Sequence, residues 1–241
     1  MKRRLDELLV QRQLAADIVT ARGMIGAGEV LVNERCADKA GELFAVDCPL
    51  RVKHKIRYVS RGGLKLEKAL SDFHLDPTGM VCVDIGASSG GFTDCLLQHG
   101  ARRVYAVDVA YGQLDWKIRT DQRVVVIERL NARKLTPSHI GEAVQLAVMD
   151  TSFISITRII PSLLPLFAEA IQIIALIKPQ FELPKDKIGP GGVVRDEALH
   201  NEAIAGIIDF ADRIGLHHHQ PVPSPILGPK GNTEFLILLY R

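Results

Sequence analysis

The 241-residue chain is 47% hydrophobic and 24% charged, a balance that excludes a disordered or fibrous protein. Its net charge of +2 points to no particular partner, and the densest apolar run, Ile171 to Ile177 with Gln172 inside it, is far too short to span a bilayer. Met1-Lys-Arg-Arg-Leu-Asp-Glu7 carries no apolar signal core, and the four cysteines form no Cys-x-x-Cys pair, so the expectation is a soluble cytoplasmic protein without zinc or a disulfide framework.

Leu5, Leu8 and Leu9 recur at helical spacing over 4–11. A second helix is expected from Leu14 to Ile25, with Asp17 as N-cap and Gly26 and Gly28 ending it. Glu29 to Asn33 reads as a strand closed by a turn at Asn33-Glu34, and Leu43 to Val52 as further short strands around Pro49. From Arg51 to Lys68, seven lysines and arginines face one acid, Glu67. Such a strip either meets a polyanion or is a solvated linker. A domain boundary is expected near Val52 to Ser60, giving domains 1–58 and 59–241. Gly62-Gly63 then marks a break before a helix from Leu64 to Phe73.

Val81, Val83 and Ile85 predict a buried strand, Ser88 to Gly91 a loop, and Phe92 to His99 a helix stopped by Gly100. A strand, a glycine-rich turn and a helix make a ligand crevice at the carboxyl end of a parallel sheet. Ser88 stands where a dinucleotide fingerprint needs its second glycine, and no Gly-Lys-Ser/Thr follows for a phosphate loop. Strands are then expected at Arg103 to Asp108, Val124 to Ile127, Gln145 to Asp150, Gln172 to Ile177, near Val222 to Pro225, and at Glu234 to Tyr240. Helices are expected at Ser155 to Ala170, broken near Pro161 and Pro165, and at Leu199 to Ile214. This alternation predicts an α/β doubly wound sheet of seven strands whose last two form a hairpin. Acids at three strand ends, Asp84, Asp108 and Asp150, converge on one edge. Lys178 follows a fully apolar strand, a costly place for an unpaired charge. His217-His218-His219 lacks carboxylates at metal-ligand spacing and is expected to be a solvated loop.

Two resemblances follow from these residues. Arg4-Leu5-Asp6, Ala21-Arg22 and Ile25-x-x-Gly28-x-Val30-x-Val32-Asn33 resemble the small α+β S4 RNA-binding module. That resemblance implies phosphate contacts from Lys2, Arg3, Arg4, Arg12, Arg22 and Arg35, extended by Lys53, Lys55 and Arg61 of the basic strip. Phosphate contacts give affinity without base choice. The spacing Asp84-x-Gly86-x-x-x-Gly90-Gly91 resembles the first motif of S-adenosylmethionine methyltransferases, which have a Rossmann-like sheet. The order Lys65, Asp150, Lys178, Glu234 resembles the catalytic tetrad of ribose 2′-O-methyltransferases of the FtsJ/RrmJ class. Over the whole chain, Ser60-Arg-Gly-Gly-Leu-Lys65, Asp150-Thr-Ser-Phe-Ile-Ser155, Lys178-Pro-Gln-Phe-Glu182 and Gly189-Pro-Gly-Gly-Val-Val-Arg-Asp196 are similar to the TlyA family, also named hemolysin A.

The resemblance implies a methyltransferase that uses S-adenosylmethionine, binds no metal, and acts on the 2′-hydroxyl of cytidine in ribosomal RNA or ribosomal subunits. It implies cofactor contacts from Asp84, Gly86, Ala87, Ser88, Gly90, Gly91, Phe92, Asp108, Asn131 and Asp150. Phe92 replaces a family tryptophan, and Asn131 lies where related enzymes place an acid near adenine. A ribose hydroxyl is a poor nucleophile that needs a base or a positive field. Lys178 is expected to supply it, with Asp150 orienting Lys178, and Lys65 and Glu234 placing the ribose and Lys178. The alternatives are a membrane-active hemolysin and a noncatalytic RNA-binding assembly factor.

Overall fold

The computed structural model describes residues 2–52 and 57–241, so Lys53 and Lys55 lie outside the described residues. The chain divides into two compact units, Met1–Ile56 and Arg57–Arg241.

The first unit runs β1 (Lys2–Arg4), α1 (Leu5–Gln11), α2 (Ile18–Gly26), β2 (Val30–Val32), β3 (Arg35–Cys36), β4 (Leu43–Ala45) and β5 (Leu50–Val52). The Asp17 carboxylate caps α2 by accepting the Thr20 N–H at 2.7 Å. Asn33 and Glu34 both have positive φ, 49° and 61°, which suits the two-residue turn of a twisted hairpin between β2 and β3. β2 is the centre of an antiparallel β3-β2-β5 sheet. β1 pairs with β4, a strand that its all-basic sequence does not announce. Leu5, Leu8, Leu9, Ala21, Ile25 and Val30 make the core.

One charge is locked into that core. Asp6 is fully buried and receives Arg4 at 3.0 and 2.8 Å and Arg22 at 2.9 Å. The Arg4 hydrogen bonds, ahead of those from Arg22, hold the Asp6 carboxyl well below the usual carboxylate range despite its burial. Arg12 donates to the carbonyls of Cys48, at 2.7 Å, and Val46.

The second unit begins with α3 (Gly62–Asp72), β6 (Val81–Ile85), α4 (Gly91–Gln98), β7 (Arg103–Val107), α5 (Trp116–Arg119), β8 (Val124–Ile127), α6 (Pro137–Ile140) and β9 (Leu146–Met149). It continues with α7 (Ile160–Leu163), β10 (Gln172–Ile177), α8 (Pro179–Glu182), α9 (Glu197–Arg213), β11 (His217–His218), β12 (Val222–Pro223) and β13 (Phe235–Tyr240). The sheet order is β11-β13-β10-β9-β6-β7-β8, with β12 also on β13. β8, β7, β6, β9 and β10 are parallel, and β13 is antiparallel to β10. The expected β12–β13 pairing is present. An eighth strand arises because His217 and His218, expected in a loop, pair with Tyr240 and Leu239.

Both faces of the sheet are covered, which is why its strands are continuously apolar. Val83, Ile85, Ala147 and Ile173 face one cluster with Ile160, Ile207 and Ala211. Cys82, Leu146, Val148 and Ile174 face the other with Leu66, Leu70 and Leu96 of α3 and α4. All five residues of β6 are buried, each large aliphatic side chain contributing about 1.5–3 kcal/mol. The expected helix from Ser155 to Ala170 is instead α7 between two three-residue 3-10 turns, 156–158 and 164–166. Pro161 and Pro165 lack the N–H that a continuous helix needs. Among the described residues no helix is long and apolar enough to cross a membrane.

Topology decides where the site falls. The chain steps from β6 outward to β7 and β8, then returns to β9 on the other side of β6. The crevice opens at this reversal, beyond the carboxyl ends of the strands. β13 runs the other way, so it starts at the same edge.

Asp6→Asn is expected to lower the thermal midpoint at neutral pH and to flatten its fall in acid. In the unmodified protein the Asp6 contribution is complete above the ordinary value of 3.8 and drains as pH falls below it. Melting curves from pH of about 7 to about 3 check this.

Candidate active site

The loop after β6 is built for close backbone approach. Gly86 has φ +80°, and a Cβ there would lie 2.8 Å from the Asp150 carbonyl oxygen. Gly90 has φ +94° and packs under Leu114. The Gly86 and Ala87 N–H groups donate to the Val107 carbonyl at 2.9 and 3.2 Å, tying the loop to the end of β7. Asp108, just beyond β7, accepts from the Ser88 N–H and the Ala110 N–H, both at 2.8 Å. Its carboxylate is therefore fixed in direction before any ligand arrives.

Asp84 lies beneath this loop, fully buried. One oxygen accepts from the Thr93 hydroxyl at 2.7 Å, and the other has no hydrogen-bond partner among the described residues. Burial pushes this carboxyl up to about 7, against the Thr93 hydrogen bond, and the charges of Asp150 and Asp108 add to the rise.

Four charged groups from four places in the chain meet beside the loop. Lys178 follows β10 and Asp150 follows β9. Glu234 precedes β13, and Lys65 comes from α3. Lys178 Nζ lies 2.5 Å from Asp150 Oδ1 and donates a hydrogen bond to Ser152 Oγ at 3.0 Å. Lys65 Nζ donates to Glu234 Oε2 at 2.6 Å and lies 3.6 Å from Asp150 Oδ2. The result is a chain of alternating sign, Lys178–Asp150–Lys65–Glu234. Asp150 touches both lysines, whereas the ion-pair partner of Glu234 is Lys65 alone among the described residues. Lys65, Lys178 and Glu234 are 7%, 5% and 1% exposed, so they survive as charges only because they are paired. Gly228 permits the burial of Glu234, since a Cβ at that position would overlap its carboxylate.

Lys65, Asp150 and Lys178 line a cleft of about 400 Å³ with Gly86, Ser88, Gly91 and Phe92. Ala87 and Ser88 also line a small hollow that holds Asp108, Leu114 and Val126. A larger hollow, about 800 Å³, lies among Leu64, Glu67, Lys68 and Asp72, where Lys68 pairs with Asp72 at 2.7 Å. It contains neither the glycine loop nor any of the four charges, so size alone misplaces the site.

The other sequence-derived candidates fall as follows. Exposed Arg61 lines the cleft. Asn131 caps a 3-10 turn by accepting the Arg133 N–H at 3.1 Å. Arg3, Arg4, Arg12, Arg22 and Arg35 belong to the first unit, where Arg4 and Arg22 are held on Asp6, Arg12 on main-chain carbonyls, and Arg35 is exposed. Sequence reasoning assigned no role to Ser152, Phe153, Ile226 or Leu227. Ser152, Ile226 and Leu227 line the cleft. Phe153 is 91% exposed with φ +67°, and its ring packs 5.3 Å from that of Phe181. The stretch from Asp150 to Ser155 was distinctive, but nothing in its composition shows which side chains turn toward Lys178.

The sequence model of FtsJ-like methyltransferases matches residues 58–241. YqxC of Bacillus subtilis, assigned provisionally as an rRNA methyltransferase, is 47% identical over 241 residues, covering 99% of this chain and 86% of that protein. The 16S/23S rRNA (cytidine-2′-O)-methyltransferase TlyA of Mycobacterium tuberculosis is 43% identical over 238 residues, covering 98% and 89%. A solved structure from Streptococcus thermophilus, assigned provisionally as a hemolysin, superposes with a TM-score of 0.77 at 42% identity, covering 100% of this chain and 88% of that one. With the glycine loop and the Lys178–Asp150–Lys65 part of the charged chain in one cleft, these matches place the chain in the FtsJ-like methyltransferase family.

Proposed function

We propose that this enzyme methylates the ribose 2′-hydroxyl of cytidine in ribosomal RNA, using S-adenosylmethionine. The observation that carries the reading is the buried chain Lys178–Asp150–Lys65–Glu234 beside the glycine loop. The substrate named for the Mycobacterium tuberculosis relative is the same.

The residues present fit the cofactor. Asp108 sits with Glu128, Gln113, Leu114 and Val126 in the small hollow, where carboxylates beside apolar side chains suit sugar hydroxyls next to a base. Ala87 and Ser88 join that hollow to the cleft with the charged chain. Asp108 and the loop from Gly86 to Gly91 would hold the nucleoside end, with Asp84 supporting the loop from below and Phe92 in the cleft wall. When bound, S-adenosylmethionine supplies an electrophilic methyl group on a positively charged sulfur.

The protein's own groups do the rest. Lys178 takes the proton of the ribose hydroxyl or stabilises the alkoxide as it forms. Asp150 anchors that amine at 2.5 Å. Lys65 holds Asp150 and Glu234 in place and faces the cleft. Lys65, Arg61 and a cationic donor bring positive charge to the cleft, which favours a developing oxyanion. Most of the acceleration comes from alignment and field rather than covalent chemistry.

The first unit, with S4-like order and arginines oriented by Asp6, is the proposed RNA-binding part, residues 1–58, and residues 59–241 are the catalytic part. Arg61 at the cleft would meet a phosphate of the substrate strand. The substrate places the enzyme in the cytoplasm, on ribosomal RNA or ribosomal subunits.

Lys178→Ala is expected to reduce methyl incorporation by about 100-fold or more, with S-adenosylmethionine still bound. Radiolabelled transfer and calorimetric binding measure the two separately, and near-normal turnover defeats the assignment. Asp108→Ala is expected to weaken cofactor binding by roughly 10- to 100-fold, read by the same calorimetry.

A further inference from the structure

We propose that Ser152 is a positioning residue that fixes the place and rotation of the Lys178 amino group at the cleft, where the ribose hydroxyl would lie. The inference rests on the reading of Lys178 as the base. Lys178 has two neighbours of different kinds. Asp150 lies 2.5 Å away and provides charge. Ser152 Oγ accepts a hydrogen bond from Lys178 Nζ at 3.0 Å. An ion pair restrains distance more than direction, whereas a hydrogen bond is directional. With Asp150 fixing the distance and Ser152 one N–H direction, the amino group has one set orientation. Lys178 is 5% exposed and lines the cleft, so the amino group is presented there and not to bulk solvent.

A second, independent observation concerns the backbone that delivers Ser152. The next residue, Phe153, has φ +67°, a left-handed conformation that is an outlier for an aromatic residue. The residue is 91% exposed, so burial does not hold it there. The loop is instead tied to the segment after β10 at successive points. Asp150 and Ser152 meet Lys178, Phe153 packs on Phe181, and Glu182 accepts the Ile156 N–H at 3.0 Å. This pinning keeps the hydroxyl of an otherwise exposed serine on a buried lysine.

The step balances without another reactant. Lys178 enters the step as the amine, its ammonium proton having gone to solvent; the 2′-O–H bond then breaks and its proton goes to Lys178 Nζ. The oxygen's electron pair forms the new bond to the methyl carbon, and the sulfur keeps the pair of the bond that breaks. Ser152 accepts an N–H throughout and exchanges nothing.

The test uses the full chain carrying Ser152→Ala, Ser152→Thr or Lys178→Ala, with ribosomal RNA or subunits as acceptor. Ser152→Ala is expected to lower kcat by about 10-fold, leaving KM for RNA and cofactor binding within about twofold. Ser152→Thr, which keeps the hydroxyl, is expected to recover kcat to within about threefold of the unmodified enzyme. Unchanged kcat in Ser152→Ala beside an inactive Lys178→Ala overturns the inference and leaves the base assignment standing. Failure of Ser152→Thr to recover also overturns it, because the loss then reflects packing. Near-normal turnover of Lys178→Ala overturns the base assignment itself, and this inference with it.

Discussion

The site depends on one carboxylate shared by two buried ammonium groups. Asp150 lies 2.5 Å from Lys178 and 3.6 Å from Lys65, and neither lysine is more than a tenth exposed. Charges removed from water lose several kcal/mol of solvation each, by rough estimate, and only close opposite charges offset that. Asp150 alone leaves one positive charge in excess, and Glu234 on Lys65 balances it. Removing any member strands a buried charge. The arrangement is thus ordered before substrate binds, and such order is what allows a fixed field to act on a reacting oxygen.

The rest of the second unit can be understood as what brings these four groups together. Parallel β9 and β10 deliver Asp150 and Lys178 from neighbouring strand ends. The antiparallel direction of β13 lets Glu234 arrive from a strand start. α3 lies over the same face and contributes Lys65 one residue before Leu66, which is fully buried in the core. Placement of the charges and packing of the core are therefore a single problem: a shift of α3 against the sheet moves Lys65 with it.

Much of this was legible in the sequence, because periodicity and strand-end chemistry survive in one dimension. β6, the glycine turn, α4 and the apolar β10 followed by Lys178 each announce themselves through residue type. The four charges could be named from their order, but not which touches which. That depends on strand order and on the direction of β13. Three features were illegible for definite reasons. β1 is basic and pairs only because β4 lies beside it. His217 and His218 become strand through pairing with β13 rather than propensity. Ser152 acquires its contact from a left-handed residue next door, which nothing in the identity of Phe153 foretells.

Gly228 carries no charge and no reactive group, yet it decides whether Glu234 can occupy its place. Gly86 stands in the same relation to the main chain at Asp150. Most single-base changes to a glycine codon add a side chain. Inactivating alleles of this gene should therefore fall on silent-looking glycines as well as on lysines and acids, and a clinical or laboratory screen that inspects only reactive groups would overlook them.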